Sequence, residues 1–273
     1  MIGTLALIED EQIVLDEAAL TLAALDREDS PVEAEALLAP YLTRVAFIAA
    51  QLMARSTGIG SNQTRAEILR ALIADEHGFT GDEVSFGEDA GADMMALIDS
   101  GHGLPVALSI LYVGVARKVG WRAVALGVPG HVLIRVGEEP GAVYQDPFDE
   151  GRVLDQRGLK RVMTRVLGAN ALPDPAYLAP MDNRGTLIRL LTNQAARARR
   201  SGDLDRALVL HERMTAFAPG ATTLWWERAR LEQLLGRLRA ARASLVAMRE
   251  TTRDGALLGR IEAALNALAR SAS

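Results

Sequence analysis

The stretch that decides the fold is Leu104–Val119, LPVALSILYVGVARKV, followed by GHVLIRV at Gly130–Val136 and YQDPF at Tyr144–Phe148. The first stretch has almost no polar face, so it predicts a helix buried inside a domain. Pro105 stands in the first turn, where a helix tolerates proline, and Gly120 follows the end. We therefore expect a domain organised around this helix.

After this helix the apolar segments become short and turn residues separate them. That pattern predicts strands with turns between them. The predicted strands are 123–128, 131–136 and 142–146, and the predicted turns are 129–130 and 137–141. His131 would therefore open one strand, and Asp146 would close the next.

The N-terminal part has the apolar spacing of amphipathic helices. Helices are predicted over 12–26, 33–55 and 64–76, with Ser30-Pro31 as a helix start and Gly78 as a stop. Residues 80–103 are polar and contain several glycines, with a short helix predicted around 93–99. The N-terminal region thus adds helices to the predicted domain.

The order of glycine-rich entry, buried helix, histidine-initiated strand and aspartate-bearing strand resembles the core of the transglutaminase-like, papain-related superfamily. The motifs Gly103–Ser109, Pro129–His131 and Asp146–Gly151 look like those of its SirB-type branch of bacterial proteins. The resemblance extends over roughly 15–247. It implies an α+β, predominantly helical fold in which the buried helix packs on a small antiparallel sheet.

The resemblance also implies a site. In the superfamily a cysteine at the helix start is the nucleophile, a histidine is its base, and an aspartate orients the imidazole. By resemblance His131 and Asp146 match the last two, and we expect them to form a hydrogen-bonded pair. Pro105 falls at the cysteine position, and the chain contains no cysteine at all. The SirB-type branch lacks that cysteine as a rule, so catalysis by the pair is in question.

Three other side chains are candidates for the same region. Ser109 is the one hydroxyl in the first two turns of the buried helix and would be a replacement nucleophile. A serine within a helix more often donates to the carbonyl one turn earlier, so we expect that bond instead. Tyr112 and His102 are expected, with Pro105, to line a cleft; packing for Tyr112 and an exposed loop for His102 are the alternatives.

The C-terminal part predicts a helical tail. Gly202–Ala207 and Gly236–Ala241 recur 34 positions apart, the tetratricopeptide period. Since two repeats are too few for an independent solenoid, the tail is expected to dock on the core, either as a helical cap or as a groove for a peptide. The predicted division is 1–80 as the N-terminal helical region of the core domain, 81–182 as the transglutaminase-like core and 183–273 as the tail.

Composition limits the other classes of function. The absence of cysteine excludes disulfides and thiolate metal sites, and is compatible with a cytoplasmic protein. A net charge of −5 gives no general attraction to nucleic acid or anionic membrane. We predict no metal, no cofactor, no nucleic-acid partner and no membrane partner. The basic segment Arg184–Arg200 is predicted to be a solvated helix face, and the oligomeric state stays open.

These observations leave three hypotheses for function. The first is a catalytically silent transglutaminase-like domain that binds a protein or peptide through its helical tail, in a bacterial protein for which the resemblance implies a regulatory role. The second is a hydrolase or acyl-transfer enzyme in which His131 and Asp146 act with water or Ser109. The third is a purely structural subunit of a larger complex. The His131–Asp146 pair is catalytic only in the second hypothesis.

Overall fold

A computed structural model describes residues 2–28, 30–81, 93–168 and 175–271. The helices are α1 (Ile2–Leu7), α2 (Leu15–Ala24), α3 (Pro31–Arg55), α4 (Asn62–Arg70), α5 (Met94–Ser100), α6 (Pro105–Lys118), α7 (Gln156–Leu167), α8 (Asn183–Arg200), α9 (Leu204–Phe217), α10 (Thr222–Leu234), α11 (Leu238–Glu250) and α12 (Gly255–Ser271). Shorter helical turns lie at Asp10–Gln12, Ala71–Glu76 and Pro175–Leu178. The expected α+β, predominantly helical class is confirmed.

The chain separates into two units. The core unit is Glu9–Leu190, and the tail unit is Met1–Ile8 together with Leu191–Ser273. The division falls inside α8, so the helix contributes its first turns to the core unit and its last turns to the tail unit.

Helix α6 is the centre of the core unit. Every residue from Pro105 to Ala116 is buried, as the missing polar face predicts. It packs on α2 and α3 on one side and on the sheet on the other. Gly114 within it accommodates Asp16 of α2, because a Cβ at that position would lie 2.7 Å from the Asp16 Cβ.

The main sheet is antiparallel, with strands in the order β3 (Ala123–Leu126), β4 (Leu133–Val136), β5 (Val143–Asp146) and β6 (Arg152–Leu154). Ile134 on β4 pairs with Gln145 on β5, and Asp146 pairs with Arg152 on β6. A separate parallel pair joins β1 (Thr80–Gly81) to β2 (His102–Gly103). The small antiparallel sheet against a buried helix is the arrangement that the sequence predicts.

Several sequence boundaries were wrong in detail. The strand predicted from His131 begins at Leu133, because the backbone of His131 still belongs to the preceding turn, where its N–H donates to the Val128 carbonyl at 2.9 Å. The helix predicted over 64–76 begins earlier, at Asn62, where Ser61 caps it. From Ala71 it continues as a π-helical turn.

Helix α3 is one of the less buried elements of the core unit. By length and composition it is the one helix in the described ranges that is apolar enough to cross a membrane. Here its inner residues pack on α2 and α6, and its outer face carries Phe47 and Met53, each about half exposed. Ser30 caps its start and accepts a bond from the Glu33 N–H.

In the tail unit the 34-residue recurrence appears as equivalent structure. Gly202 and Gly236 each precede a helix, α9 and α11, and adopt positive φ angles of 83° and 72°. Ala207 and Ala241, five residues after each glycine, are both completely buried. The two sequence repeats therefore take the same local conformation.

Candidate functional site: a buried histidine–aspartate pair

The sequence places His131 and Asp146 15 positions apart, and the fold brings them into contact. His131 follows a turn in which Gly130 has a φ of +77°, a conformation that favours glycine. Asp146 is the last residue of β5. Nε2 of His131 lies 2.9 Å from Oδ1 of Asp146, so the expected hydrogen bond is present.

The pair is held inside the core unit. The His131 side chain is 5% exposed and that of Asp146 is fully buried. Oδ1 of Asp146 also accepts the Phe148 N–H at 3.1 Å, and the Phe148 ring stands edge-on to the imidazole with centroids 5.9 Å apart. With the carboxylate ionised, Nε2 carries the hydrogen and Nδ1 of the neutral ring becomes an acceptor. No hydrogen bond to Nδ1 is present among the described residues.

The other carboxylate oxygen of Asp146 faces α7. An Arg165 guanidinium nitrogen lies 3.5 Å from Oδ2, and the Arg165 side chain is 54% exposed. The same helix also packs on the turn before the histidine, since a Cβ at Gly130 would lie 3.0 Å from Val166. Helix α7 thus covers the pair and places a cation between it and solvent.

The nucleophile position holds no reactive group. Pro105 is buried as the first residue of α6. Ser109 is also fully buried, and its hydroxyl donates to the Val132 carbonyl at 3.4 Å. The expected bond to the carbonyl one turn earlier was therefore wrong, because the segment just before β4 packs across the helix and offers the Val132 carbonyl as the acceptor. The Ser109 hydroxyl points at the backbone beside His131 rather than at its ring.

The remaining candidates form no hydrogen bond with the His131 ring in the described chain. Tyr112 is completely buried, its hydroxyl has no hydrogen-bond partner among the described residues, and burial raises its pKa. The hydroxyl lies against Gly151, where a Cβ would approach it to 2.4 Å. His102 is exposed on β2, and its N–H donates to Ser100 Oγ at 3.1 Å. The structure brings Pro105, Ser109 and Tyr112 onto one helix and leaves His102 at the surface.

Arg165 and helix α7 were missed from the sequence, and Phe148 was noted there without its contact with the imidazole. The signal for the helix was present: the apolar residues on it recur every three or four positions and the basic ones occupy the other face. The apolar residues that pack beneath the sheet from this helix are Leu159, Val162, Met163 and Val166. Nothing in the sequence indicates that Arg165 reaches Asp146.

The described residues contain no group of three or more side chains that could hold a metal ion. His77 is bonded instead to Gln51, with Nε2 and Oε1 2.6 Å apart, and to Arg44. Burial and the charge of Arg44 lower the pKa of His77. This histidine is a hydrogen-bonded packing residue.

Comparison with known proteins agrees with this architecture. Residues 39–192 match the family described as the transglutaminase-like superfamily. A UPF0162 protein of Xylella fastidiosa (strain 9a5c) is 26% identical over 247 residues, which cover 89% of this chain and 85% of the relative. A UPF0162 protein of Vibrio cholerae is 26% identical over 132 residues, 47% of this chain and 48% of the relative. Since the family match spans more than half of the chain, including the buried helix and the His131–Asp146 pair, this protein belongs to the transglutaminase-like superfamily.

Proposed function

We propose that the protein is a catalytically silent, SirB-type member of the superfamily that binds a protein or peptide. The observation that carries this proposal is Pro105 at the start of α6, in a chain without cysteine. A proline side chain has neither a nucleophilic atom nor a proton to give to His131. The hydroxyl one turn later, on Ser109, already donates to a backbone carbonyl.

In this proposal His131 and Asp146 stabilise the fold. Their hydrogen bond ties the turn before β4 to the end of β5, and the Phe148 N–H adds a second bond to the same oxygen. Buried polar groups are costly when unpaired, so such a pair fixes one arrangement of the two segments. The pair then serves as a structural or recognition element.

The partner is proposed to bind the tail unit, which we interpret as tetratricopeptide-like. A groove of about 370 Å³ opens between α10 and α12. Its lining combines apolar surface with polar side chains: Trp226, Ala229, Arg230, Gln233, Leu245, Ala264 and Leu268. The Arg260 guanidinium lies 5.1 Å from the Trp226 ring centroid. An aromatic anchor beside exposed cations suits a peptide with an apolar side chain and a carboxylate. The cytoplasm is the proposed location.

The silent assignment is tested by turnover. Purified full-length protein is incubated with p-nitrophenyl acetate and, separately, with a glutamine-containing peptide and a primary amine. We expect no turnover above the buffer blank, and the same result for His131→Gln. Turnover by the wild type that His131→Gln abolishes, with the fold intact by circular dichroism, would show that the pair is catalytic.

One observation keeps the enzyme hypothesis as a second candidate. The carboxylate bonds one imidazole nitrogen and the other has no hydrogen bond among the described residues, which is the arrangement of a histidine ready to act as a general base. If water were the nucleophile, esterase activity would fall with His131→Gln and would be unchanged in Ser109→Ala. Loss in both variants would instead assign Ser109 as the nucleophile.

The binding assignment is tested with a displayed peptide library selected on the immobilised full-length protein. Peptides recovered on the wild type are expected to lose affinity at least about tenfold on Trp226→Ala, as for a central aromatic anchor. Phe47→Ala removes another aromatic side chain, 51% exposed on α3, and serves as the control that keeps affinity. Selection of no peptide, or equal loss in both variants, would contradict a groove for peptides in the tail unit.

A further inference from the structure

The outer face of α7 carries four basic residues and one threonine. The side chains line a shallow depression of about 510 Å³: Arg157, Lys160, Arg161, Thr164 and Arg165. Their spacing of three and four places them on one side of the helix. The opposite side packs beneath the sheet. The basic residues are all exposed.

Three of these four cations lack a counterion among the described residues. Arg157, Lys160 and Arg161 form no ion pair within the described chain, and Arg165 contacts only the Asp146 carboxylate, 3.5 Å away. No aspartate or glutamate occurs from Gln156 to Gly168. Some exposed arginines elsewhere, such as Arg55 and Arg70, have a carboxylate partner. The face is thus a concentrated positive patch on a chain whose net charge is −5.

This arrangement is unfavourable for the isolated helix. Arg157, Arg161 and Arg165 follow one another at intervals of four, where like charges repel and destabilise a helix. Arg157 also stands in the first turn, where the helix dipole disfavours a cation. The Asp155 carboxylate caps the helix start, where it accepts the Gly158 N–H at 2.6 Å, but no carboxylate pairs with Arg157 or Arg161 within the described chain. An anionic ligand lying along the face would relieve the repulsion between these arginines.

We propose that the basic face of α7 binds an acidic segment of a partner protein. Residues four apart in a helix are separated by about 6 Å along its axis. Alternate residues of an extended chain are separated by about 7 Å, so carboxylates on every second residue would meet successive guanidinium groups. Arginine favours carboxylates because its planar group donates two parallel hydrogen bonds. No aromatic side chain lines the depression, so the stacking that single-stranded nucleic acid uses is missing there.

This surface is separate from the groove of the tail unit, so it adds a second contact to the proposed function. Arg165 belongs both to the basic face and to the surroundings of the His131–Asp146 pair. A carboxylate that binds Arg165 therefore lies next to the pair.

The test uses full-length protein and a fluorescein-labelled hexaglutamate peptide, followed by fluorescence anisotropy at low salt. Arg157→Glu with Arg161→Glu is expected to weaken binding at least about tenfold. The matched control is Arg242→Glu with Arg249→Glu, which changes the net charge equally at exposed, unpaired arginines of α11. It should weaken binding less than about threefold, because only long-range attraction is reduced. Trp226→Ala should bind like the wild type, which separates this surface from the tail groove.

Other outcomes overturn the proposal. Equal weakening in both double variants would show that net charge alone attracts the peptide, and no binding by the wild type would remove the site. Tighter binding of a labelled oligonucleotide of equal charge, lost in the same α7 variant, would assign the face to nucleic acid. A second variant, Arg157→Gln with Arg161→Gln, removes the charges without adding negative ones and is therefore less prone to misfold. It should also weaken binding of the peptide. Wild-type affinity in this variant would contradict the proposal.

Discussion

Two histidines, one in each unit, are equally buried and differently used. His131 in the core unit and His211 in the tail unit are both 5% exposed. His131 has the Asp146 carboxylate at 2.9 Å, whereas Nδ1 of His211 has no hydrogen-bond partner among the described residues. Burial lowers the pKa of His211 to about 4. The difference teaches that burial alone does not mark a histidine as a candidate site residue. A hydrogen-bonded carboxylate that orients the ring is needed as well.

The 34-residue period of the tail unit also indicates that His211, unlike His131, is a packing residue. The position equivalent to His211 in the next repeat is Leu245, which is 4% exposed and belongs to the apolar cluster of the tail unit. A neutral imidazole and a leucine thus occupy corresponding positions. His211 is a packing residue, and its replacement by leucine is a substitution for which the chain itself provides the precedent.

The largest effect is expected from breaking the core pair. Asp146→Ala leaves His131 Nε2 and the Phe148 N–H without their acceptor and removes the partner of Arg165. We expect the free energy of unfolding at pH 7 to fall by about 3–5 kcal/mol, because two buried donors each lose a hydrogen bond to a carboxylate and an unsatisfied buried donor costs about 1–3 kcal/mol. Urea unfolding followed by circular dichroism measures it.

Asp149→Ala is the matched control for this prediction. Asp149 lies on the same turn, but its carboxylate is 38% exposed and, within the described ranges, pairs only with Arg152, at 3.1 Å. An exposed ion pair contributes at most about 1 kcal/mol. If the two variants lost similar stability, the buried pair would not be the element that fixes this part of the fold.

The second prediction concerns His211 and pH. Its pKa of about 4 in the folded protein lies below the unfolded value of about 6.5. The unfolded chain therefore binds a proton first, so stability is unaffected above pH 6.5 and falls as the pH drops from 6.5 towards 4. By pH 4 the free energy of unfolding should have fallen by about 3 kcal/mol because of His211. The His211→Leu variant should not show this contribution.

Urea unfolding at several pH values, in a Trp121→Phe background, measures this loss. Trp225 and Trp226 then report on the tail unit, since they are the remaining tryptophans. The contribution of His211 is the difference between the curves with and without His211→Leu. A difference that stays constant between pH 7 and pH 4 would mean that His211 is not held neutral by burial.

The third prediction compares two glycines with the same backbone conformation. Gly151 in the core unit has a φ of +67° and Gly236 in the tail unit one of +72°. A Cβ at Gly151 would lie 2.4 Å from the buried Tyr112 hydroxyl, whereas one at Gly236 meets nothing within 4 Å. Both alanine variants carry the cost of a left-handed conformation, about 1 kcal/mol, and only Gly151→Ala adds overpacking.

Thermal unfolding of both variants distinguishes these contributions. Gly151→Ala is expected to destabilise by about 2 kcal/mol more than Gly236→Ala, because the overpacked group is Tyr112 in the core. Equal losses would show that the Tyr112 ring moves aside at little cost. The space around the turn after Asp146 would then be looser than the contacts indicate.

The sequence predicted those helices and strands that a local pattern of apolar and turn residues specifies. Helix α6 was found because an apolar run this long has no alternative to burial, and Gly120 marks its end at a φ of +77°. Strand β6 was missed because three residues are too short to show alternation. His131 was placed in the strand because an apolar run follows it, yet its N–H belongs to the turn.

The site depends more on contacts between distant segments. The His131–Asp146 bond was expected from resemblance to a family, since no local pattern joins residues 15 positions apart. The Arg165 contact and the partner of Ser109 depend on how α7 and β4 pack in three dimensions. Such contacts become visible only when the elements are assembled.

The smallest loss of stability is expected on replacing Ser109, and Ser244 in the tail unit provides the comparison. Ser109 Oγ donates over 3.4 Å to a neutral carbonyl, while Ser244 Oγ donates over 2.7 Å to the buried carboxylate of Glu232. Ser109→Ala should therefore cost about 1 kcal/mol or less, and Ser244→Ala about 2 kcal/mol, since bonds to charged groups are stronger. Urea unfolding of both variants measures the difference. A loss at Ser109 larger than at Ser244 would mean that its hydroxyl holds the segment before β4 against α6, a role that also makes it unsuited to act as a nucleophile.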